Sequence, residues 1–350
     1  MSDNETRSVG EDRAIVAAVR GGDAAEFAAL VHRHRRELQV HCYRMLANFE
    51  DAEDVVQETF AKAWRSRGDF EGRSTLRAWL YRIATNTCLD AIKRRRRRVA
   101  VADPIVLARG GPSFDDVPWL QPIPDRVLDA PAPSTAEPDA VVIAAETIGL
   151  AFLAAIQHLP PRPRAVLILR DVLGWTAAET AAALDETVTA VNSALQRARG
   201  RLRELGRPDE SGWAGTVAPT DEERALLQRY MDAHVNADAA AVIELLGVDV
   251  HLTMPTVIDE QVQEQTRFDG RRAVAGFFRE LFGRDGPGEW RLVPTRANRQ
   301  PAAANYLRRW GEATYRAVTL DVLRVEHGVV VEITTFDASV FAAFGLPATL

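Results

Sequence analysis

The sequence predicts a multidomain protein: two all-α modules joined by a linker, followed by an α+β domain. Three observations predict it. At ~100–200 residues per domain, 350 residues hold two or three domains. Eight of the 18 prolines fall within residues 101–145, a density that blocks helix and sheet. Apolar residues recur at helical spacing on both sides of that segment, and give way after about residue 246 to clusters and alternation of strand type. The expected boundaries are 11–100, linker 101–145, 146–208 and 220–350, the last two separated by the Gly- and Pro-rich stretch Gly206–Pro219.

Charge follows the same boundaries. Residues 11–100 carry 18 Lys and Arg against 13 Asp and Glu (+5), and 146–208 carry 8 against 6 (+2). The linker 101–145 carries 2 against 7 (−5), and 209–350 carries 14 against 21 (−7). Basic modules separated by an acidic linker suggest a polyanionic partner for the basic parts. Several classes are excluded or disfavoured. The segment Val141–Ile156 is the nearest to a membrane span, and Glu146 breaks it. The opening MSDNETRSVGEDR has no apolar core of a signal peptide. Cys42 and Cys88 are too few for a disulfide framework or a four-thiolate metal site, and read as small buried residues in a reducing cytoplasm. No cofactor or metal is expected.

In the first module, Ala24–Leu46 reads as a helix. Asp51 is a plausible N-cap for the helix ending at Arg65, which places Val55, Val56, Thr59, Phe60, Ala63 and Trp64 on one side. After the loop Gly68–Ser74, Ser74 can cap a helix from Thr75 to about Arg96, with an apolar side of Leu76, Leu80, Ile83 and Leu89. Trp79, Arg82 and Asn86 share another face at i, i+3 and i+7. An aromatic, a cation and an amide in one stripe suit unpaired bases, by stacking and by reading base edges. The same helix ends in Lys93, Arg94, Arg95, Arg96, Arg97 and Arg98. Six consecutive cations exceed what a helix C-terminus needs for its dipole, so phosphate contact is expected.

In the second module, one helix runs from about Val142 to His158 and a second covers Arg164–Val172. Thr176 and Glu179 form a capping-box signature for Ala177–Leu184. After the turn Asp185-Glu186, a last helix begins near Val188, with a buried stripe of Val191, Leu195, Ala198, Leu202 and Leu205. Its other side offers Asn192, Ser193, Gln196, Arg197, Arg199, Arg201 and Arg203. Two short helices with a tight turn, the second rich in Asn, Gln and Arg, make a helix-turn-helix for the major groove.

These segments resemble a known family. DAEDVVQETFAKAWR and STLRAWLYRIATNTCLDAIKRRRRR are similar to region 2 of extracytoplasmic-function sigma factors of the sigma-70 family. LPPRPRAVLILRDVLGWTAAETAAALDETVTAVNSALQRARGRL is similar to region 4. HCYRML, PWLQPIPDRVLD and the ending FGLP resemble the SigG-like and SigJ-like subgroup, which carries a C-terminal SnoaL-like domain of the nuclear-transport-factor-2 superfamily. The resemblance implies a cytoplasmic transcription initiation factor that binds core RNA polymerase, through the β′ clamp helices and the β flap, and promoter DNA. It assigns Asp54, Val55, Val56 and Gln57 to core polymerase. It assigns Trp79, Arg82 and Asn86 to a flipped base of the −10 element, with the loop Gly68–Ser74 capturing that base. Asn192, Ser193, Gln196 and Arg197 fall to the −35 element. Many relatives carry Arg in place of Asn192, so their −35 sequence does not transfer.

The third module, with helices over Ala225–Leu246 and Arg272–Phe282, reads as α+β. Its expected strands are Val250–Met254, Trp290–Val293, Ala313–Val325 and Val329–Phe336. The resemblance implies a curved sheet wrapped around a pocket, which can hold an unknown small ligand. Domains of this kind include isomerases and cyclases, which need a positioned Asp or His. His251, Asp269, Asp321 and Asp337 are the available types, but no spacing picks out a pair. An enzyme fused to a DNA-binding protein is therefore the alternative reading, and no catalytic activity is expected. A simple repressor would have no use for region 2. Trp119 and Leu120, in the linker, are expected to anchor it to a neighbouring domain, so that the acidic C-terminal domain regulates in cis without strictly needing an anti-sigma protein.

Overall fold

A computed structural model describes residues 21–70, 75–102, 117, 119–129, 148–204, 219–254, 267–284 and 286–350, with the backbone alone for 96–102. The chain divides into two compact units. The first holds residues 1–111, 128–144 and 155–212. The second holds 112–127, 145–154 and 213–350. The two basic modules thus largely share one unit, whereas the sequence suggested separate ones, and the middle of the linker (112–127) and the start of the second module (145–154) go with the C-terminal domain.

In the first unit, α1 (Ala24–Leu46) starts at Asp23, whose side chain accepts from the amides of Ala25 and Glu26. It stops at Ala47, which adopts a left-handed conformation and donates to Tyr43 O. α2 (Phe49–Arg65) follows at once. Its N-cap is Asn48, and Asp51 sits one turn inside, donating its amide to Asn48 Oδ1 at 2.8 Å. Asn and Asp cap equally well, so the sequence could place this start three residues late. α3 (Leu76–Ala102) is capped by Thr75 Oγ1, which accepts from Ala78 N at 3.2 Å. Ser74, the cap expected from the sequence, lies outside the described residues. The buried ridge of α3 is Leu76, Leu80, Ala84, Cys88 and Ile92, spaced four apart, with Tyr81 beside it. Ile83 and Leu89 are only partly covered. Both cysteines are buried and free, as expected.

Helices α4 (Asp125–Asp129) and α5 (Leu150–Gln157) precede α6 (Pro161–Leu167), which opens on proline at its first position and runs on as a π-helical turn, Ile168–Val172. The capping box of α7 (Ala177–Leu184) forms as expected: Thr176 Oγ1 accepts from Glu179 N, and Glu179 Oε2 accepts from Thr176 N at 2.8 Å. Asp185 turns the chain at φ 54°, and α8 (Val188–Glu204) follows. Its stripe of Val191, Leu195, Ala198 and Leu202 is buried, together with Ala194. Helix α3 packs against α6 and α7, so the two helical modules are joined through their cores.

In the second unit, α9 (Asp221–Val235) and α10 (Ala239–Leu245) replace the single helix expected over 225–246. The break is at Ala237, with φ 50°, and Asp238 then caps α10. The strands are β1 (Leu246–Thr253), β2 (Arg267–Asp269), β3 (Gly288–Ala297), β4 (Gln300–Arg309), β5 (Arg316–Glu326) and β6 (Val329–Asp337), with α11 (Arg271–Leu281) between β2 and β3. The sheet order is β2-β1-β6-β5-β4-β3, antiparallel except for the β1–β6 pair. Leu227, Tyr230 and Met231 of α9 and Val274 and Phe278 of α11 share one core with Leu292, Ala303, Leu307, Leu323 and Ile333 of the sheet.

β4 was not expected from the sequence. It reads QPAAANYLRR, and Pro301 to Leu307 are all buried, so both faces are covered. A strand with two covered faces shows no alternation, and its alanines carry little β signal. The β3–β4 turn places Asn298 (φ 55°) and Arg299 (φ 65°) in the left-handed region, a type I′ arrangement without glycine.

That turn grips the linker. Ile123 N donates to Asn298 Oδ1 at 2.9 Å, Asn298 N donates to Ile123 O at 3.0 Å, and Asn298 Nδ2 donates to Ile148 O at 2.7 Å. Arg299 N donates to Asp125 Oδ1 at 2.8 Å, and Asp125 is only 2% exposed. Pro124 forms an antiparallel bridge with Ala297. Leu120 is fully buried and Trp119 half-buried.

Candidate nucleic-acid interface

The ridge of α3 determines what its other side presents. With Leu80, Ala84 and Cys88 inward, Arg82 and Asn86 are exposed and Trp79 is half-buried. The Trp79 ring lies against Phe70, with centroids 5.0 Å apart and planes at 47°. Phe70 thus supports the indole from one side, and a guanidinium and an amide are exposed along the same stripe. Of the loop 68–74, residues 71–74 lie outside the described residues.

Beneath this stripe lies a closely packed polar core. His41 Nε2 is 2.9 Å from Thr85 Oγ1, which itself donates to Tyr81 O at 2.8 Å. The hydroxyl proton is thus committed to Tyr81, so His41 Nε2 is the donor, and with no partner for the buried Nδ1 among the described residues the imidazole is neutral. Burial, with Arg44 beside it, pushes the His41 pKa down to about 3. Burial likewise lowers Arg44 to about 10.

The basic run divides. Lys93 and Arg94 are exposed, and Arg94 lies 3.4 Å from Glu58. Arg95 turns inward, pairing with Asp51 and donating to Leu46 O at 3.3 Å, where it closes the end of α1. That use differs from the free phosphate contact expected of it. The side chains of Arg96, Arg97 and Arg98 lie outside the described residues. On α2, Asp54 and Gln57 are exposed, whereas Val55 and Val56 are in the core. Any partner on this face therefore meets Asp54 and Gln57 directly, and the two valines hold them in position.

On α8, Asn192, Gln196 and Arg197 are exposed and Ser193 is half-exposed, opposite the buried stripe. Arg199 is held by both oxygens of Asp171, at 2.7 and 2.9 Å, which sets it apart from these four. The joint between the modules centres on Arg164, which is 3% exposed. Its Nη1 donates to Met45 O at 2.6 Å and to Gln157 Oε1, and its Nη2 donates to Gln157 O at 2.7 Å and Leu159 O at 3.1 Å. Tyr81 of α3 meets Trp175 with ring centroids 5.4 Å apart. Sequence patterning could not reveal Arg164 in this role, because an arginine beside prolines reads as surface.

The acid–base candidates of the C-terminal domain separate. His251 Nδ1 and Asp269 Oδ1 pair at 2.6 Å on the β1–β2 edge, with Arg267 on the same carboxylate. Asp337 caps a 3-10 turn through Ser339 N. Asp321 is buried and accepts from Tyr230 OH at 2.9 Å, Asn305 Nδ2 at 2.7 Å and Thr335 Oγ1 at 2.8 Å. That is a closed polar knot in the core. Among the described residues no group of His, Cys, Asp and Glu could hold a metal ion.

Known proteins match this arrangement. Residues 30–98 match Sigma-70 region 2, and residues 149–202 match Sigma-70, region 4. The ECF RNA polymerase sigma factor SigG of Mycobacterium tuberculosis is 40% identical over 335 residues, covering 93% of this chain and 85% of the relative. The chain belongs to the extracytoplasmic-function sigma factors. These are transcription initiation factors rather than enzymes, so core RNA polymerase and promoter DNA are its partners. The ECF sigma factor SigE of Mycolicibacterium smegmatis is 31% identical over 175 residues, half of this chain and 59% of that one. The crystal structure of the Mycobacterium tuberculosis sigma factor SigJ superposes with a TM-score of 0.56 at 22% identity, covering 92% of this chain and 99% of that one, and so shares the fold. No described helix is long and apolar enough to cross a membrane.

Proposed function

We propose that this sigma factor docks on the β′ clamp helices of core polymerase through Asp54 and Gln57, with region 4 against the β flap. Trp79, Arg82 and Asn86 hold an unpaired base of the −10 element, and Asn192, Ser193, Gln196 and Arg197 read the −35 element in the major groove. Lys93 and Arg94, with Arg96, Arg97 and Arg98 after the inward-turned Arg95, contact phosphates. The factor works in the cytoplasm, where polymerase is. The observation that carries this reading is the exposed reader face on each of α3 and α8, backed in each case by an uninterrupted buried ridge.

The same reading gives the joint at Arg164 a function. Positions −10 and −35 are separated by 25 base pairs, about 85 Å of B-form DNA. A compact unit of roughly 190 residues is only about 40 Å across. A factor with α3 packed on α6 and α7 cannot engage both elements, so the packed unit is the resting form and polymerase binding opens it. The C-terminal domain acts in cis by holding the linker at Ile123 and Asp125, with no anti-sigma protein strictly required. Two tests apply to the full chain. Asp54→Lys should weaken binding to core polymerase with helix content unchanged, and equal affinity refutes the docking face. Trp119→Ala and Asn298→Gly should change promoter-directed transcription, and output identical to the parent across promoters and salt refutes regulation through the linker.

A further inference from the structure

Helix α8 carries an apolar side chain that the promoter reading above does not use. Val188 is its first residue and is 45% exposed. The turn beneath it is well fixed: Thr187 Oγ1 accepts from Ala190 N at 3.1 Å, and Thr187 O accepts from Val191 N at 3.0 Å. Val188, Asn192 and Gln196 stand at i, i+4 and i+8, so they form one line along the helix, with Cβ atoms about 5–6 Å apart at each step. All three are exposed. Val188 stands at the margin of the buried stripe, three residues before Val191 and seven before Leu195, and Asn192 and Gln196 lead away from it.

A β-branched apolar residue gains nothing from water, and at a helix start it offers neither a cap nor a charge. The major groove has one apolar feature on its base edges, the 5-methyl group of thymine. Side chains at the N-terminus of a recognition helix are the ones that reach base edges. Asn and Gln, next along the line, pair bidentately with adenine through N6 and N7. We infer that Val188 packs against a thymine methyl group in the −35 element and that the line Val188–Asn192–Gln196 selects A·T pairs. Guanine contact falls to Arg197, beside that line. Each helix step of four residues rises about 6 Å, close to two base pairs. The preferred thymine therefore lies about two base pairs from the position that Asn192 reads. This inference rests on the assignment of α8 to the −35 element.

The test uses the holoenzyme and a duplex promoter library randomised across the −35 element. The expected result is a thymine preference at the end of the element under the N-terminus of α8. Val188→Ser should reduce that preference about fourfold, the effect of losing one buried methyl contact, and leave other positions unchanged. Replacing that thymine by deoxyuridine, which lacks only the methyl group, should cost the parent protein the same factor and cost the Val188→Ser protein nothing further. The inference is overturned if deoxyuridine affects both proteins equally, or if Val188→Ser weakens all sequences alike, as loss of a polymerase contact would. Gln196→Ala separates the two levels of the argument. If it relaxes choice at its own position while Val188→Ser changes nothing, the thymine contact alone falls. If neither changes sequence choice, the assignment of α8 to the −35 element falls with it.

Discussion

Replacing Arg164 by Met tests the joint between the two helical modules. Met keeps most of the apolar stem and removes the guanidinium. Four acceptors then lose a donor: Met45 O, Gln157 O, Gln157 Oε1 and Leu159 O. A hydrogen bond to a charged donor contributes ~1.5–3 kcal/mol. Relief from burying a charge offsets part of the loss, leaving a net destabilisation of about 3 kcal/mol. Three of the four acceptors lie within region 4 and report on its own stability. The fourth, Met45 O, lies at the end of α1, and Gln157 Nε2, which Arg164 helps to orient, donates to Arg44 O at 3.4 Å. This cross-module share is about 1.4 kcal/mol, a tenfold shift towards separated modules. Denaturant unfolding measures the first quantity. The distance between labels at Asp90→Cys and Thr189→Cys, both exposed, measures the second. Arg162→Met is the control, because Arg162 is exposed and among the described residues pairs with Glu186 alone, a contact of at most about 1 kcal/mol. If Arg164→Met and Arg162→Met were equally mild, or if the label distance were unchanged, the joint as described would be wrong.

Three further outcomes follow from the packing. The folded-state pKa of His41 lies at about 3, far below that of an unfolded histidine, so its neutral form supports folding above pH 6.5 and that support is lost as the pH falls from there towards 3. Stability at pH 5 should be about 2 kcal/mol below that at pH 7 on this account, and His41→Gln should flatten that difference in denaturant titrations. Asp321→Ala strands three buried donors and should cost about 3–5 kcal/mol, read as a lower unfolding temperature of the C-terminal domain; a loss below 1 kcal/mol would mean that the knot is not closed. Asn298→Gly keeps the left-handed turn available and removes two side-chain bonds, to Ile123 and Ile148, so the Ile123 amide should exchange with solvent at least tenfold faster, as expected for about 2 kcal/mol.

What the sequence revealed and what it hid have physical reasons. The Thr176–Glu179 box and the stripe through Val191 and Leu202 are local patterns, and the helix-turn-helix could be read from them directly. The ridge of α3 could be read only in part: Leu76 and Leu80 are buried as expected, but Ala84, Cys88 and Ile92 continue it where Ile83 and Leu89 were expected. Long-range partners were hidden. Arg95 looked like one cation among six until Asp51 and Leu46 O met it in space. Asn298 looked like an ordinary loop residue, although its side chain and backbone together hold Ile123 and Ile148. β4 was missed because burial on both faces removes the alternation by which a strand is recognised.

A polymerase-docking face and separate −10 and −35 readers on one chain can be tested together by run-off transcription with core polymerase on a duplex promoter, using the full chain, Asp54→Lys, Asn86→Ala and Gln196→Ala. Promoter-specific starts are expected with the parent chain and none with core polymerase alone. Asp54→Lys should lose all starts. Asn86→Ala and Gln196→Ala should keep polymerase binding but alter sequence choice, at the −10 and −35 elements respectively. Starts that do not depend on the chain, or three variants indistinguishable from the parent, would contradict that arrangement.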